Sequence, residues 1–457
     1  MDSIHIQREF FASGATRSVE YRIRQLKSLY YIIRINEEEI CAALKKDLGK
    51  SRFEAYSTEV GIVLTQIAYT LKHLRRWARP QRVPTSFLQF KGRGTVAPEP
   101  YGVCLILAPW NYPFQLSIAP AVAAIAAGNC VIIKPSEYAP ATSEVISKIF
   151  NQNFEQRFCR VVTGKADVAK SLLMQRFDYI FFTGGTETGR QVMEQAARNL
   201  TPVTLELGGK SPCIVDDTAV IPMAARRIIW GKCLNAGQTC VAPDYVYVHR
   251  KAYQPLVESM KRWIVEFYGE KPEQNPEFCR IVNDRHFERL CGLLEGCEIL
   301  AGGGINREER KLAPTLVAEP TAKHPIMGEE IFGPILPIIP YDDLEEVIRA
   351  IKERPSPLAL YLFTRDIRTE KKVIRAIPFG GGCVNDTVLH LAGEAMPFGG
   401  IGESGMGSYH GKAGFDAFSH KKSILKSSSV LDIGLRYPPY GENQRKERVT
   451  RWITTRK

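Results

Sequence analysis

No two cysteines in the chain stand at CxxC spacing, although there are eleven of them among 457 residues. That absence excludes a zinc ribbon, and the odd number without regular spacing excludes a disulfide framework. Such cysteines suit a reducing, cytoplasmic compartment. The eight histidines are scattered and offer no metal-ligand set, so no metal is expected. Long apolar runs are missing too. Residues 116–133 come nearest, but Pro120, Gly128 and Asn129 interrupt them, which predicts a helix and then a strand rather than a membrane span. Residues 1–11 carry Asp2 and Glu9 and no apolar core, so no signal peptide is expected. The formal net charge of +12 lacks a stripe: basic residues lie scattered in mixed-sign runs such as 342–354. Without aromatic-interleaved basic patches, no nucleic-acid partner is expected, and anionic small molecules fit the charge better.

What is present reads as an ordinary globular chain, 44% hydrophobic and 24% charged, long enough for two or three domains. The first ~75 residues have helical periodicity and end signals. Asn36 is placed to cap Glu37-Glu38-Glu39, Gly49 to stop that helix, and Ser51 with Glu54 to form a capping box. Residues 80–100, with Pro80, Pro84, Pro98 and Pro100, predict an extended bridge. From Tyr101 strand-like and helix-like runs alternate: strands at 103–107, 130–134, 160–162, 179–182 and 203–207, with helices between them. A second alternating region runs from 213 to about 384. Apolar strands alternating with helices predict an α/β chain with parallel sheets covered on both faces. Residues 423–431 read as a strand, and 436–457 as a basic tail with seven Lys/Arg against two Glu.

Several short motifs stand at the ends of these strands. Gly237-Gln238-Thr239-Cys240-Val241-Ala242-Pro243 places a cysteine in a loop where small residues permit close approach of a ligand. A lone loop cysteine is more often a small hydrophobe than a nucleophile. Pro109-Trp110-Asn111-Tyr112-Pro113 follows the first strand of the alternation, where α/β sheets bind ligands, and the Asn111 amide can face a developing oxyanion. Taken alone it is a Pro-rich turn. Lys134-Pro135-Ser136-Glu137 sets a Lys and a Glu on one βα turn, suited to ribose hydroxyls or equally to a solvated charge pair. Gly184, Gly185 and Gly189 punctuate the turn into a helix, where backbone approaches a pyrophosphate, without the GxGxxG spacing. Glu206 precedes two glycines and can serve as a mobile general base or merely face solvent. Glu330 and Phe332, two residues apart, share a side if the chain is extended there.

Together these motifs resemble the aldehyde dehydrogenase superfamily, and its class 3 branch in particular. PWNYP, KPSE, FTGGTETGR, ELGGKSP, GQTCVAPDYV and EEIFGP occur in the family's order over 109–334. PFGGIGESGMG at 397–407, YHGK at 409–412, FSH at 418–420 and LRYPP at 435–439 point to class 3. The resemblance implies NAD(P)-dependent oxidation of aliphatic or aromatic aldehydes to carboxylic acids. It implies Cys240 as nucleophile, Asn111 with the Cys240 N–H as oxyanion hole, and Glu206 as the base for hydrolysis. NAD or NADP is expected at Trp110, Lys134, Glu137, Gly184, Gly185, Gly189, Glu330 and Phe332. The family's loop often carries Ser where this chain has Gly185. A Rossmann-like NAD(P)-binding domain is expected over 1–79 and 101–208, and an α/β catalytic domain over 209–403. A small β oligomerisation arm over 80–100 and 404–435, with the tail at 436–457, completes the expectation. Class 3 relatives imply a homodimer. Membrane-bound members end in a hydrophobic segment, whereas this end is basic and polar, so no stable anchor is expected. The alternatives are an acylating enzyme that passes the thioester to coenzyme A, and an idle structural protein of the same fold. His410 and His420 receive no role beyond packing.

Overall fold

A computed structural model describes residues 2–86, 89, 91–432, 434–439 and 444–455. The N-terminal sixth, to Trp77, is helical because its apolar residues recur at three- and four-residue spacing. Val19–Ile35 buries Ile23, Leu26, Leu29, Ile32 and Ile33 along one face, and Ser18 caps it by accepting the Tyr21 N–H. Glu37–Leu48 ends at Gly49, whose φ of 72° is the left-handed conformation glycine adopts freely. Two cap details differ from expectation. Asn36 donates its side-chain amide back to the Ile32 carbonyl instead of capping the next helix. Ser51 does accept the Glu54 N–H, but the Glu54 carboxylate leaves the capping box for a distant partner described below.

Beyond the helices, β1 (Gln81–Val83) and β2 (Arg93–Pro100) form an antiparallel ribbon. The first sheet follows. β3 (Val103–Leu107), β4 (Cys130–Lys134), β5 (Cys159–Val161) and β6 (Tyr179–Thr183) are almost wholly buried, and β7 (Val203–Glu206) ends in a buried carboxylate. These strands are parallel to their neighbours, as fully buried apolar strands favour. The chain first builds outward from β3 through β4 to β5, then returns to the other side with β6 and β7. Such a reversal opens a crevice beyond the carboxyl ends of the strands, where the ends of β3, β4, β6 and β7 bring the sequence motifs together. Helix Gln115–Ala127, buried along its whole length despite Pro120, covers this sheet and stops at Gly128.

The second sheet comprises β8 (Pro212–Val215), β9 (Tyr245–His249), β10 (Ile299–Ala301), β13 (Thr315–Ala318), β14 (Ile335–Tyr341), β15 (Ala359–Phe363) and β16 (Gly381–Val384); β11 (Ile305–Asn306) and β12 (Lys311–Leu312) make a separate hairpin. Its order is β10-β13-β14-β9-β8-β15-β16, parallel except at β10. β17 (Gly405–Met406) crosses back to the first sheet and lies antiparallel to β7, with Gly405 opposite Glu206. Helix Gly411–Ala417 packs on Gln115–Ala127. β18 (Ser419–Lys426) then pairs along the whole of β2, giving a three-stranded sheet of order β1-β2-β18. The strand read at 423–431 therefore begins earlier and stops at Lys426, after which the chain turns. Within the basic tail, Gln444–Thr455 is a helix; residues 440–443 and 456–457 lie outside the described residues. Among the described residues no helix is long and apolar enough to cross a membrane.

Candidate active site

Cys240 is aimed by a backbone that leaves its helix abruptly. Helix Ile221–Cys233 ends where Leu234 turns to extended ψ. Asn235 (φ 53°) and Ala236 (φ 52°) then follow, with Gly237 at φ 74°. Non-glycine residues in this region cost roughly 1–2 kcal/mol each, so the turn needs support from outside. At Gly237 even a methyl group is forbidden: a Cβ would stand 2.2 Å from the Gly333 carbonyl oxygen.

The support comes from the PWNYP turn and the N-terminal helices. Asn111 Nδ2 donates to the Gln238 carbonyl at 3.0 Å, two residues before Cys240. Asn235 Nδ2 donates to the Asn111 carbonyl at 2.7 Å and to the same Gln238 oxygen at 3.2 Å. Tyr112 OH meets Thr239 Oγ1 at 2.6 Å, and Tyr361 OH donates to the Val241 carbonyl. Beneath them Lys50 and Glu59, both fully buried, form an ion pair. Lys50 also donates to the Asn111 carbonyl, while Glu59 accepts the Phe114 and Gln115 N–H groups at the start of the buried helix. Breaking one partner of such a pair typically costs about 3–5 kcal/mol, because the other charge stays buried. On the far side Lys210 pairs with Asp244, whose other oxygen accepts the Ile331 N–H and so fixes the loop bearing Glu330 and Phe332.

Three acidic groups here are held toward their neutral forms. Burial pushes the Cys240 thiol up to about 12, and Glu330 and Glu206 add repulsion. Burial alone raises the Glu206 carboxyl well above its ordinary range; among the described residues neither of its oxygens has a hydrogen-bond partner. Glu330 rises to about 8 through burial and then Asp244, with the Gly209 N–H opposing. Burial raises the proton affinity of such a carboxyl, so that once ionised it takes a proton more readily than an ordinary one. Glu206, read from sequence as mobile and water-facing, is instead only 3% exposed.

The other motifs line the crevice beyond β4, β5 and β6. Lys134 is 4% exposed, and its Nζ lies 2.6 Å from Glu137 Oε2, so this pair is not the solvated one. Glu137 borders a cavity of about 570 Å³ with Ser136, Thr163 and Gly164. The three glycines divide. A Cβ on Gly184 would meet the Phe182 ring at 2.5 Å, and one on Gly189 the Leu207 side chain at 2.5 Å, whereas Gly185, at the helix start, has nothing within 4 Å. Phe332 is not in extended chain: at φ 50° it turns its ring edge-on to Trp110, centroids 5.4 Å apart.

A second cavity, about 560 Å³, reaches Cys240 between Tyr112, Leu116, Trp230, Phe398 and Tyr409. His410 also lines it, its ring stacked on Phe398 at 5.5 Å. His420 lies on β18 near Tyr101. Sequence reasoning did not single out Lys50, Glu59, Tyr361 or this aromatic wall; an unusual π-helical turn at Tyr56–Val60 carries Glu59 inward, and no local pattern announces it.

Residues 4–424 match the model of the aldehyde dehydrogenase family. The chain belongs to that family. It is an NAD(P)-dependent aldehyde dehydrogenase. Curated relatives include the 4,4'-diaponeurosporen-aldehyde dehydrogenase of Staphylococcus aureus (strain NCTC 8325 / PS 47), 46% identical over 94% of each chain. Aldehyde dehydrogenase family 3 member H1 of Arabidopsis thaliana is 45% identical over 96% of this chain and 91% of its own. A Rattus norvegicus relative named "Aldehyde dehydrogenase, dimeric NADP-preferring" is 43% identical over 96% and 97%. A solved structure described as the substrate-bound state of Staphylococcus aureus AldH superposes with a TM-score of 0.96, at 44% identity and 98% coverage of both chains. The residues of this aldehyde dehydrogenase fit its cofactor: Gly185 leaves open space at a helix start for a phosphate, and Glu137 offers an acceptor at a cavity wall with the Lys134 ammonium 2.6 Å behind it.

Proposed function

We propose that Cys240 is the nucleophile, that Asn111 and the Cys240 N–H form the oxyanion hole, and that Glu206 activates the hydrolytic water. The observation carrying this is the placement of the Asn111 amide on the Gln238 carbonyl, two residues from a cysteine at the wall of an apolar cavity. The Cys240 thiol gives its proton to solvent and its sulfur attacks the aldehyde carbon, forming a C–S bond as the carbonyl π bond opens to an oxyanion. Asn111 and the backbone N–H hold that charge. A bound nicotinamide would supply the hydride acceptor; as the hydride leaves the thiohemiacetal carbon, the carbonyl re-forms as a thioester on Cys240. Glu206 takes a proton from the water that attacks the thioester; the C–S bond breaks, the acid departs, and the proton passes from Glu206 to the leaving sulfur to restore the thiol.

Lys134 and Glu137 bind the adenosine ribose, Gly184 and Gly185 approach the pyrophosphate, and Trp110, Glu330 and Phe332 border the nicotinamide. Gly189 serves that loop by letting the helix close on Leu207. Residues 1–79 and 101–208 form the cofactor domain and 209–403 the catalytic domain. The arm over 80–100 and 404–435 pairs two copies into a cytoplasmic homodimer, supported by the exposed three-stranded sheet and by the rat relative's name; a monomer by light scattering at micromolar concentration contradicts it. The aromatic wall favours aliphatic or aromatic aldehydes, in keeping with the 4,4'-diaponeurosporen-aldehyde in the staphylococcal relative's name. An aldehyde panel assayed with NAD and with NADP, scored by kcat/KM, tests the reading. Carboxylic acid is the expected product with or without coenzyme A; a coenzyme A thioester overturns hydrolysis.

A further inference from the structure

Glu54 sits far from every motif, yet its carboxylate spans two elements of the catalytic side. One oxygen accepts the backbone N–H of Asn235 at 2.7 Å, and the other accepts from Cys279 Sγ at 3.3 Å. It also borders the cavity that reaches Cys240. Its own local role would be to fold back on Ser51 and close a capping box; it reaches across the fold instead.

The partner it chooses lies at the start of the turn. The extended ψ of Leu234 (125°) swings the following peptide out of helix Ile221–Cys233, and the Asn235 N–H is given to the Glu54 carboxylate. Asn235 is also the first of the left-handed residues, and its side chain ties the Asn111 carbonyl to the Gln238 carbonyl. We propose that Glu54 is a positioning residue of the reaction: by holding the Asn235 N–H it fixes the left-handed turn that sets Cys240 against Asn111. The inference rests on the roles proposed above for Cys240 and Asn111. What matters is an acceptor oxygen at the right reach. Gln supplies one, with its amide toward Cys279; Asp keeps the charge but falls a methylene short; Ala supplies nothing.

The test compares E54A, E54D and E54Q with the wild type. It measures the single-turnover rate of reduced-cofactor formation with enzyme in excess and the rate of Cys240 alkylation by iodoacetamide. Cofactor Kd and Tm are measured beside them. Misplacement of reacting groups by an ångström costs up to about 10²-fold, so E54A and E54D should fall at least about tenfold in the single-turnover rate, with altered alkylation and unchanged cofactor Kd. E54Q should stay within about threefold of wild type on the same grounds. If E54A does not fold, E54D decides. Wild-type rates in E54D, or a loss in E54Q equal to that in E54D, overturn the proposal. Should alkylation of Cys240 leave wild-type turnover intact, the nucleophile reading fails and takes this inference with it.

Discussion

The two sides of the crevice carry charge in opposite ways. On the cofactor side Lys134 and Glu137 are already ion-paired within one turn, three residues apart. On the reacting side Cys240, Glu206 and the nicotinamide-bordering Glu330 are all pushed toward their neutral forms by burial. The first arrangement suits holding a ligand, since a donor and an acceptor already stand side by side and need little rearrangement. The second suits moving protons, since each group sits away from its ordinary ionisation and has something to gain by exchanging one. Binding and chemistry should therefore separate under mutation.

The largest separation is expected at Cys240. Cys240→Ala should abolish aldehyde oxidation while cofactor Kd, read by fluorescence titration, stays within about twofold, because the cradle is untouched. Substantial remaining turnover would sink the nucleophile assignment. The converse variant, Lys134→Met, should leave kcat nearly unchanged and raise the cofactor KM. A hydrogen bond to a charged group is worth about 1.5–3 kcal/mol, hence roughly 10–100-fold. A fall in kcat with constant KM would place Lys134 in the chemistry and break the comparison.

The two sides also differ in how far apart their partners lie in the chain. The Lys134–Glu137 turn and the glycine turn at 184–189 are local, and their strands were readable as buried apolar runs. The reacting side is assembled over long separations: Asn111 to Gln238 spans 127 residues, and Glu54 to Asn235 spans 181. Glu54 shows why such partners escape a sequence reading, since its capping-box pattern with Ser51 is genuine and yet only half used. Phe332 was placed by assuming extended chain, and its left-handed φ shows that a tight turn decided instead. The helix at Gln444–Thr455 was hidden by high charge, which reads as a solvated tail when no apolar stripe is wide enough.

The smallest effect is on stability against pH. Glu330 keeps its proton to about 8 in the folded protein, against an ordinary value of 4.5. Between those values the folded state binds more protons than the unfolded chain, so this group's contribution is fully present below 4.5 and is lost as pH rises through 8. The Tm of wild type relative to Glu330→Gln should fall by a few degrees between pH 5 and 8.5. A Tm difference that is flat or rises would show that Glu330 is ionised in the free enzyme.

The central claim is that Cys240 acts before hydride transfer and Glu206 after it, and Glu206→Gln tests that order directly. General-base assistance is worth about 10²–10⁴-fold, so steady turnover should slow by that much while the buried shape is preserved. Mixing this variant with NAD and aldehyde should give a rapid rise of one equivalent of reduced cofactor per active site and then a near stop, with the acyl mass found on Cys240 by mass spectrometry. Unchanged steady turnover, or an unmodified Cys240 after the rise, would contradict the account.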